Sequence, residues 1–228
     1  MTDTSASGKL VLLAGATSAS GLAAARILAG QGARVIGVGR DEAKLEALAT
    51  EAPGTRIEVC DLTDEAQVAD LAARVHADEG PVDGVLHLVG GWRGGGGLAG
   101  QTDADYRFLE RSFTALRHVS RAFDADLLAS GAGRLAVVSS TAVARPLAGG
   151  ANYAAVKAAT EAWARAVAQG WAKAARDSGE PLRAASVIFR VKALEGLEER
   201  LARSYADLFV AGADGINDTI VELTPPSS

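Results

Sequence analysis

The chain has 228 residues, 48% of them apolar, enough to bury a sizeable core, and no linker divides it. One domain over residues 1–228 is expected, with 1–8 and 224–228 as flexible tails. A net charge of −5 and a pI near 5.3, with Lys and Arg scattered among acids, exclude a nucleic-acid footprint and point to a small-molecule partner. Cys60 stands alone, which excludes an internal disulfide; without a basic and apolar leader or a run of membrane length, the expectation is a cytoplasmic protein with no membrane contact.

In chain order, Lys9 to Ala14 (KLVLLA) is a nearly continuous apolar run, as expected of a parallel strand buried on both faces. It leads through Gly15-Ala16-Thr17-Ser18-Ala19-Ser20-Gly21 into a helical pattern, Leu22 to Leu28. A glycine-bearing turn between a strand and a helix start suits a pyrophosphate, whose charge the helix dipole favours; an ordinary small-residue turn reads the same way. A second strand, Arg34 to Val38, ends in Gly39-Arg40, and a charged helix runs from Asp41, its N-cap candidate, to Thr50. At that strand end an acid selects a free ribose 2′-hydroxyl and an arginine a 2′-phosphate. Arg40 therefore reads either as a 2′-phosphate contact or as a solvated cation.

A third strand, Arg56 to Cys60, runs into Asp61-Leu62, with Asp61 either facing an adenine amino group or standing as a loop acid. Thr63 or Asp64 caps the next helix, which reaches His76. A fourth strand, Val85 to Val89, enters the glycine-rich stretch Gly90 to Gly97, whose bulky groups, Trp92 and Arg93, form either a lid or part of a floppy loop. A long helix, Asp103 to Leu128, and a fifth strand ending in Ser139, Ser140 and Thr141 follow. A second long helix spans Asn152 to about Arg176, and a sixth strand Leu182 to Phe189. A helix from Leu194 to Val210 and a last strand, Thr219 to Leu223, complete an alternation that implies an α/β fold: a doubly wound, Rossmann-like parallel sheet of about seven strands with helices on both faces. His76, His87 and His118 are isolated, so no metal site is expected.

The stretch from Gly133 to Lys157 carries the candidate chemistry. Tyr153 and Lys157, four apart, share a helix face. An ammonium roughly 4–5 Å from a phenol favours the phenolate by about 3–4 kcal/mol at an effective dielectric near 20, which brings the tyrosine toward general acid–base work. Ser140 stands at a strand carboxyl end, where it can hold a carbonyl oxygen beside that hydroxyl. Tyr-x-x-x-Lys by itself is equally an ordinary amphipathic helix.

From Lys9 to Leu223 the chain resembles the short-chain dehydrogenase/reductase family, through AGATSASG (Ala14 to Gly21), Asp61, the strand before Gly90, Ser140 and YAAVK (Tyr153 to Lys157). The resemblance implies a cofactor-binding domain with Tyr153 as proton donor, Lys157 on the nicotinamide ribose and lowering the tyrosine pKa, and Ser140 orienting the carbonyl. With the residue-level reading it gives cofactor contacts at Gly15, Thr17, Ser18, Ser20, Gly21, Leu22, Arg40, Asp61, Leu62, Gly90, Tyr153 and Lys157, with NADPH favoured over NADH. Ser112 takes the place of the helix asparagine of the family's proton relay, where a serine can still bond a water. The family's Asn-Asn-Ala-Gly reads His87-Leu88-Val89-Gly90, and its Pro-Gly after the sixth strand reads Phe189-Arg190.

Ala19, the Gly-Gly-Trp after strand four and the compact carboxyl end are similar to dihydropteridine reductase, a short member of the same family. Three functions follow: an NADPH-dependent carbonyl reductase, a reductase of a quinonoid or imine-type ring, and a cofactor-binding scaffold without turnover, suggested by Phe189-Arg190. Family members usually pair through the two long helices, here bearing Phe108, Phe113, Trp163 and Trp171, so a homodimer or homotetramer is expected.

Overall fold

The structure, a computed structural model, describes residues 5–225. Seven parallel strands form one sheet in the order β3-β2-β1-β4-β5-β6-β7. They are β1 (Leu10–Ala14), β2 (Arg34–Gly39), β3 (Thr55–Val59), β4 (Gly84–His87), β5 (Arg134–Ser140), β6 (Ala185–Val191) and β7 (Thr219–Glu222). The helices are α1 (Ala19–Gly30), α2 (Glu42–Glu51), α3 (Glu65–Asp78), α4 (Asp103–Ala122), α5 (Asp124–Ala129), α6 (Ala151–Ser178), α7 (Glu198–Asp207) and α8 (Ala213–Ile216). Side chains of each strand alternate between two cores. On β1, Val11 and Leu13 join α1, α2 and α7, whereas Leu10, Leu12 and Ala14 join α3, α4, α5 and α6.

Ser18, Asp41, Asp64 and Thr102 each cap a helix by accepting a first-turn N–H, so the strand-to-helix turns are fixed by short polar side chains. Asp64, not Thr63, caps α3. The expected helix from Asp103 to Leu128 is two helices: Phe123, fully buried, leaves helical geometry at ψ 10° and divides α4 from α5. Cys60 lies just past β3, and the helix expected from Leu194 begins only at Glu198.

Of the expected amino-terminal tail, residues 5–8 pack as a turn, with Ala6 fully buried and the Gly8 N–H donated to Gly32 O at 3.0 Å. At the other end Thr224 O accepts from Arg200 Nη1 at 2.7 Å. Residues 1–4 and 226–228 of those segments lie outside the described residues. No described helix is long and apolar enough to cross a membrane.

Chain order reverses between β1 and β4, which pair side by side although five elements (α1, β2, α2, β3 and α3) lie between them in sequence. The carboxyl ends of such a pair splay their loops apart, and that crevice is where ligands of open α/β sheets gather.

Candidate active site

A cavity of about 490 Å³ opens at this point. Its walls include Gly15, Thr17, Ser18, Arg40, Asp61, Leu62, Gly90 and Ser112. The β1–α1 turn is shaped by two glycines. Gly15 has φ +90°, and a Cβ there would come 2.8 Å from Val89 N, so the turn lies against the segment leaving β4. A Cβ on Gly21 would stand 2.0 Å from Ala16 O, so only glycine lets α1 approach its own turn this closely. Ser18 Oγ takes the Gly21 N–H at 3.2 Å, leaving the Ala19 and Ser20 N–H groups without an acceptor inside the helix. Ser20 and Leu22 are on α1 but do not line the cavity; Ser20 is buried and Leu22 packs on the core.

Asp61 is more committed than the sequence suggested. Its Oδ1 accepts the Thr63 N–H at 3.0 Å and the Thr63 hydroxyl at 2.7 Å, and Arg111 Nη2 lies 2.9 Å from Oδ2. Although burial pushes the carboxyl up, the Thr63 bonds and the Arg111 guanidinium bring its pKa below the usual value. Arg40 Nη1 is 3.8 Å from the same carboxylate, with the side chain 62% exposed, so this arginine is only loosely held. Arg111 also lines the cavity. Nothing in its local pattern marked it, because its role depends on α4 crossing the end of β3.

On the neighbouring strand end, Ser140 is buried; its Oγ accepts the Ala142 N–H at 3.1 Å, and its hydroxyl stands beside the Tyr153 phenol, whose pKa it lowers. Lys157 Nζ donates to Val138 O at 2.8 Å and lies 5.8 Å from the Tyr153 ring centroid. A Cβ built on Gly90 would be 3.8 Å from that nitrogen, which brings the β4 segment to the same place. The structure thus gathers Ser140, Tyr153, Lys157 and Gly90. The expected lowering of the tyrosine pKa is not found: burial raises it, opposed by Ser140, and the ammonium 5.8 Å from the ring centroid does not offset that. Burial lowers Lys157 itself to about 8.

Ser112 is not joined to this group by a hydrogen bond. Its hydroxyl donates to Leu109 O at 2.8 Å, and its carbonyl lies 3.0 Å from His87 Nε2. Burial, reinforced by the charge of Lys157, holds His87 neutral with a pKa of about 3, and its buried Nδ1 has no hydrogen-bond partner among the described residues.

Behind the site, Glu161 stands one turn beyond Lys157. It accepts the Ser139 hydroxyl at 2.7 Å, and Arg190 Nε and Nη2 at 2.8 and 2.6 Å. The Phe189-Arg190 departure is therefore half of an ion pair that ties β5 and β6 to the helix bearing the tyrosine. Of the apolar residues proposed for helix pairing, Trp171 is buried and Trp163 packs partly against the core, with Phe113 edge-on to it at 6.1 Å, so core packing takes up the two tryptophans.

Residues 9–175 match the short chain dehydrogenase family. The protein belongs to that family. Nodulation protein G of Rhizobium meliloti is 34% identical over 165 residues, which cover 71% of this chain and 66% of that protein. The 2,3-dihydro-2,3-dihydroxybenzoate dehydrogenase of Bacillus subtilis is 29% identical over 157 residues, 67% of this chain and 60% of that one. The matched region thus spans about 60–66% of these relatives' length. A short chain dehydrogenase structure from Pseudomonas syringae superimposes with a TM-score of 0.83 at 25% identity, covering 96% of each chain. One from Escherichia coli, complexed with NADPH, gives 0.83 at 21% identity over 99% of this chain and all of that one, a likeness of fold. These matches give no specific support to the likeness to dihydropteridine reductase.

Proposed function

We propose that this short-chain dehydrogenase/reductase reduces a small-molecule carbonyl with NADPH. The observation that carries the reading is the Ser140–Tyr153 hydroxyl pair at the carboxyl end of β5, beside the buried Lys157 ammonium. Two hydroxyls on one oxygen position suit a carbonyl that becomes an alkoxide. The retained serine favours a carbonyl over a quinonoid or imine-type ring, for which it is dispensable.

The crevice fits a dinucleotide on its own features. Gly15 keeps the turn flat against β4, the α1 amino terminus offers N–H groups to a pyrophosphate, and Arg40 at the end of β2 is exposed and loosely paired, available to a 2′-phosphate. Bound there, the nicotinamide supplies a hydride. Ser140 holds the carbonyl oxygen, and the Tyr153 phenol gives its proton to that oxygen as negative charge develops on it. Lys157 stabilises the resulting phenolate and offers a donor to a ribose hydroxyl. The carbonyl becomes an alcohol: its carbon gains the hydride and its oxygen the phenolic proton. Assembly as a homodimer or homotetramer is part of the proposal, and a monomer in light scattering would remove that part.

The test is a titration of the purified protein with NADPH and with NADH, followed by nicotinamide fluorescence. NADPH binding tighter by about tenfold or more, on the order of 1.4 kcal/mol, is expected. Failure of both to bind below millimolar concentration would overturn the reading.

A further inference from the structure

Most of the 23 Lys and Arg residues have a carboxylate within 4.0 Å. Those without one, away from the candidate site, are otherwise accounted for. Arg117 lies over the Trp163 ring, and Arg134 is held by four backbone carbonyl bonds. Arg200 donates to Thr224 O, and Arg176 sits in the last turn of α6, where the helix dipole favours a cation.

Three exposed cations remain, Arg93, Arg145 and Lys192, one on each of the segments leaving β4, β5 and β6. Arg145 and Lys192 have no hydrogen-bond or ion-pair partner among the described residues. Arg93 lies 3.9 Å from the Phe108 ring centroid and donates to Trp92 O, contacts that leave its charge without a counter-ion among the described residues.

Position makes the pattern specific to one region. The first two segments touch through Gly95 N and Gly149 O at 2.7 Å, and Lys192 directly follows Val191, the register partner of Ser140. Residues 88–101 and 141–150 contain no acid, and 192–197 only Glu195. Asp103 and Asp105 come next, in the first turn of α4, where Asp105 is bonded to the Thr102 hydroxyl. In a chain of net charge −5, the segments leaving β4, β5 and β6 thus carry three unpaired cations against one acid, Glu195, with the next acids, Asp103, Asp105, Glu198 and Glu199, held in the first turns of α4 and α7. Unneutralised cations on separate loops focus an anion toward the space between them. Trp92, 61% exposed, and Phe108, 41% exposed, add aromatic surface on the same side.

We infer that the substrate is a small carbonyl compound bearing a carboxylate, its charge taken by Arg145 and Lys192 with Arg93, and its apolar body by Trp92 and Phe108. The inference rests on the carbonyl-reductase reading above. Planar guanidinium forks match a carboxylate, and the lysine adds a point charge.

The test compares 4-carboxybenzaldehyde with its methyl ester as NADPH-dependent substrates; they differ in that charge, in one methyl group and in aldehyde reactivity, so the response of the acid-to-ester ratio to salt and to charge reversal isolates the charge. At low salt, kcat/KM for the acid should exceed that for the ester by on the order of tenfold, and the preference should shrink in about 0.3 M salt as screening sets in. The double variant Arg145→Glu/Lys192→Glu should bring the acid-to-ester ratio of kcat/KM to about one or below, the ratio and not the ester rate being the readout. Equal kcat/KM for acid and ester, or a preference indifferent to charge reversal, would overturn the inference. If neither aldehyde is reduced, the reductase reading fails separately. Calorimetry with 4-(hydroxymethyl)benzoate and its methyl ester, with and without NADP⁺, then decides the anion site. Tighter binding of the acid, abolished by charge reversal, upholds it, and equal or absent binding removes it.

Discussion

Arg190 holds Glu161 through two bonds, Nε to Oε1 at 2.8 Å and Nη2 to Oε2 at 2.6 Å, with the two side chains only 16% and 6% exposed. Glu161 is four residues beyond Lys157, so this pair sets the position of the α6 turn that carries the candidate cation. Removing Arg190 leaves the buried Glu161 carboxylate with only the Ser139 hydroxyl, and removing Glu161 leaves the half-buried Arg190 without its hydrogen-bonded partner. Glu161→Gln or Arg190→Met should cost about 3–5 kcal/mol in denaturant unfolding, whereas the double variant Glu161→Leu/Arg190→Met should cost less than either single. Additive losses would show that the two residues act independently.

The same pair sets an acid limit. Despite the burial that pushes it up, the Glu161 carboxyl is held below its ordinary value by the Arg190 and Ser139 hydrogen bonds. A carboxyl with a lowered folded-state pKa contributes stability above its unfolded pKa of about 4.3 and loses it as pH falls through the folded value. Wild type should therefore be more stable than Glu161→Gln at pH 7, and the gap should close as the medium is acidified below about pH 4. A gap constant with pH would place the effect in packing.

Much of this was legible in the sequence. β1 alternates so completely between two apolar faces that a doubly wound sheet follows from it and from the strand–helix rhythm, and Ser18, Asp41, Asp64 and Thr102 are cap residues at the observed helix starts. Tyr153 and Lys157 share a face because of helix geometry. Glu161 and Arg190 also carried a signal: an acid one turn beyond Lys157 on a buried face, and a cation inside an otherwise apolar strand. Arg111 carried none. Its partner Asp61 is 50 residues away, and only the crossing of α4 over the end of β3 brings them together. The division at Phe123 was likewise hidden, since its sequence reads as continuous helix and tertiary burial of the ring decides otherwise.

Lys157 makes stability and function oppose each other. Burial lowers its pKa to about 8, against about 10.4 unfolded, so at neutral pH the folded state holds an ammonium that the interior disfavours. Between those values the unfolded chain binds more protons, and stability should rise with pH. Lys157→Met removes the charge but also the bond to Val138 O, and should stabilise the protein at pH 7 by up to about 3 kcal/mol while abolishing reduction. In the wild type, kcat/KM for reduction should fall as pH rises through about 8, as Lys157 loses its charge, and Lys157→Arg should move that limb upward. An unchanged limb in the arginine variant would assign it to another group.

The glycine cradle gives a separate test. A Cβ at Gly21 would overlap Ala16 O at 2.0 Å, so Gly21→Ala has to push α1 away from its turn. A loss of about 1–3 kcal/mol in stability is expected, with weaker NADPH binding because the α1 amino terminus moves. Gly30→Ala, where a Cβ meets nothing within 4 Å on the same helix, should leave both unchanged and serves as the control. Equal effects of the two substitutions would show that close packing at the turn does not matter.

On the proposed reading, cofactor selectivity depends on how Asp61 is neutralised. Its carboxylate lies 3.8 Å from Arg40, the residue proposed to meet a 2′-phosphate, so unneutralised it would repel that phosphate. Arg111, at 2.9 Å, supplies the opposing charge. Arg40→Ala should weaken NADPH on the order of tenfold and NADH by less than about twofold, a difference near 1.4 kcal/mol. Arg111→Leu should also weaken NADPH more than NADH, through a different cause: it leaves Asp61 facing the phosphate. Adding Asp61→Asn to Arg111→Leu should then restore most of the NADPH affinity, whereas adding it to Arg40→Ala should not. Fluorescence titrations of the four variants separate the two roles, and a failure of the asparagine to rescue Arg111→Leu would mean that Arg111 meets the cofactor itself.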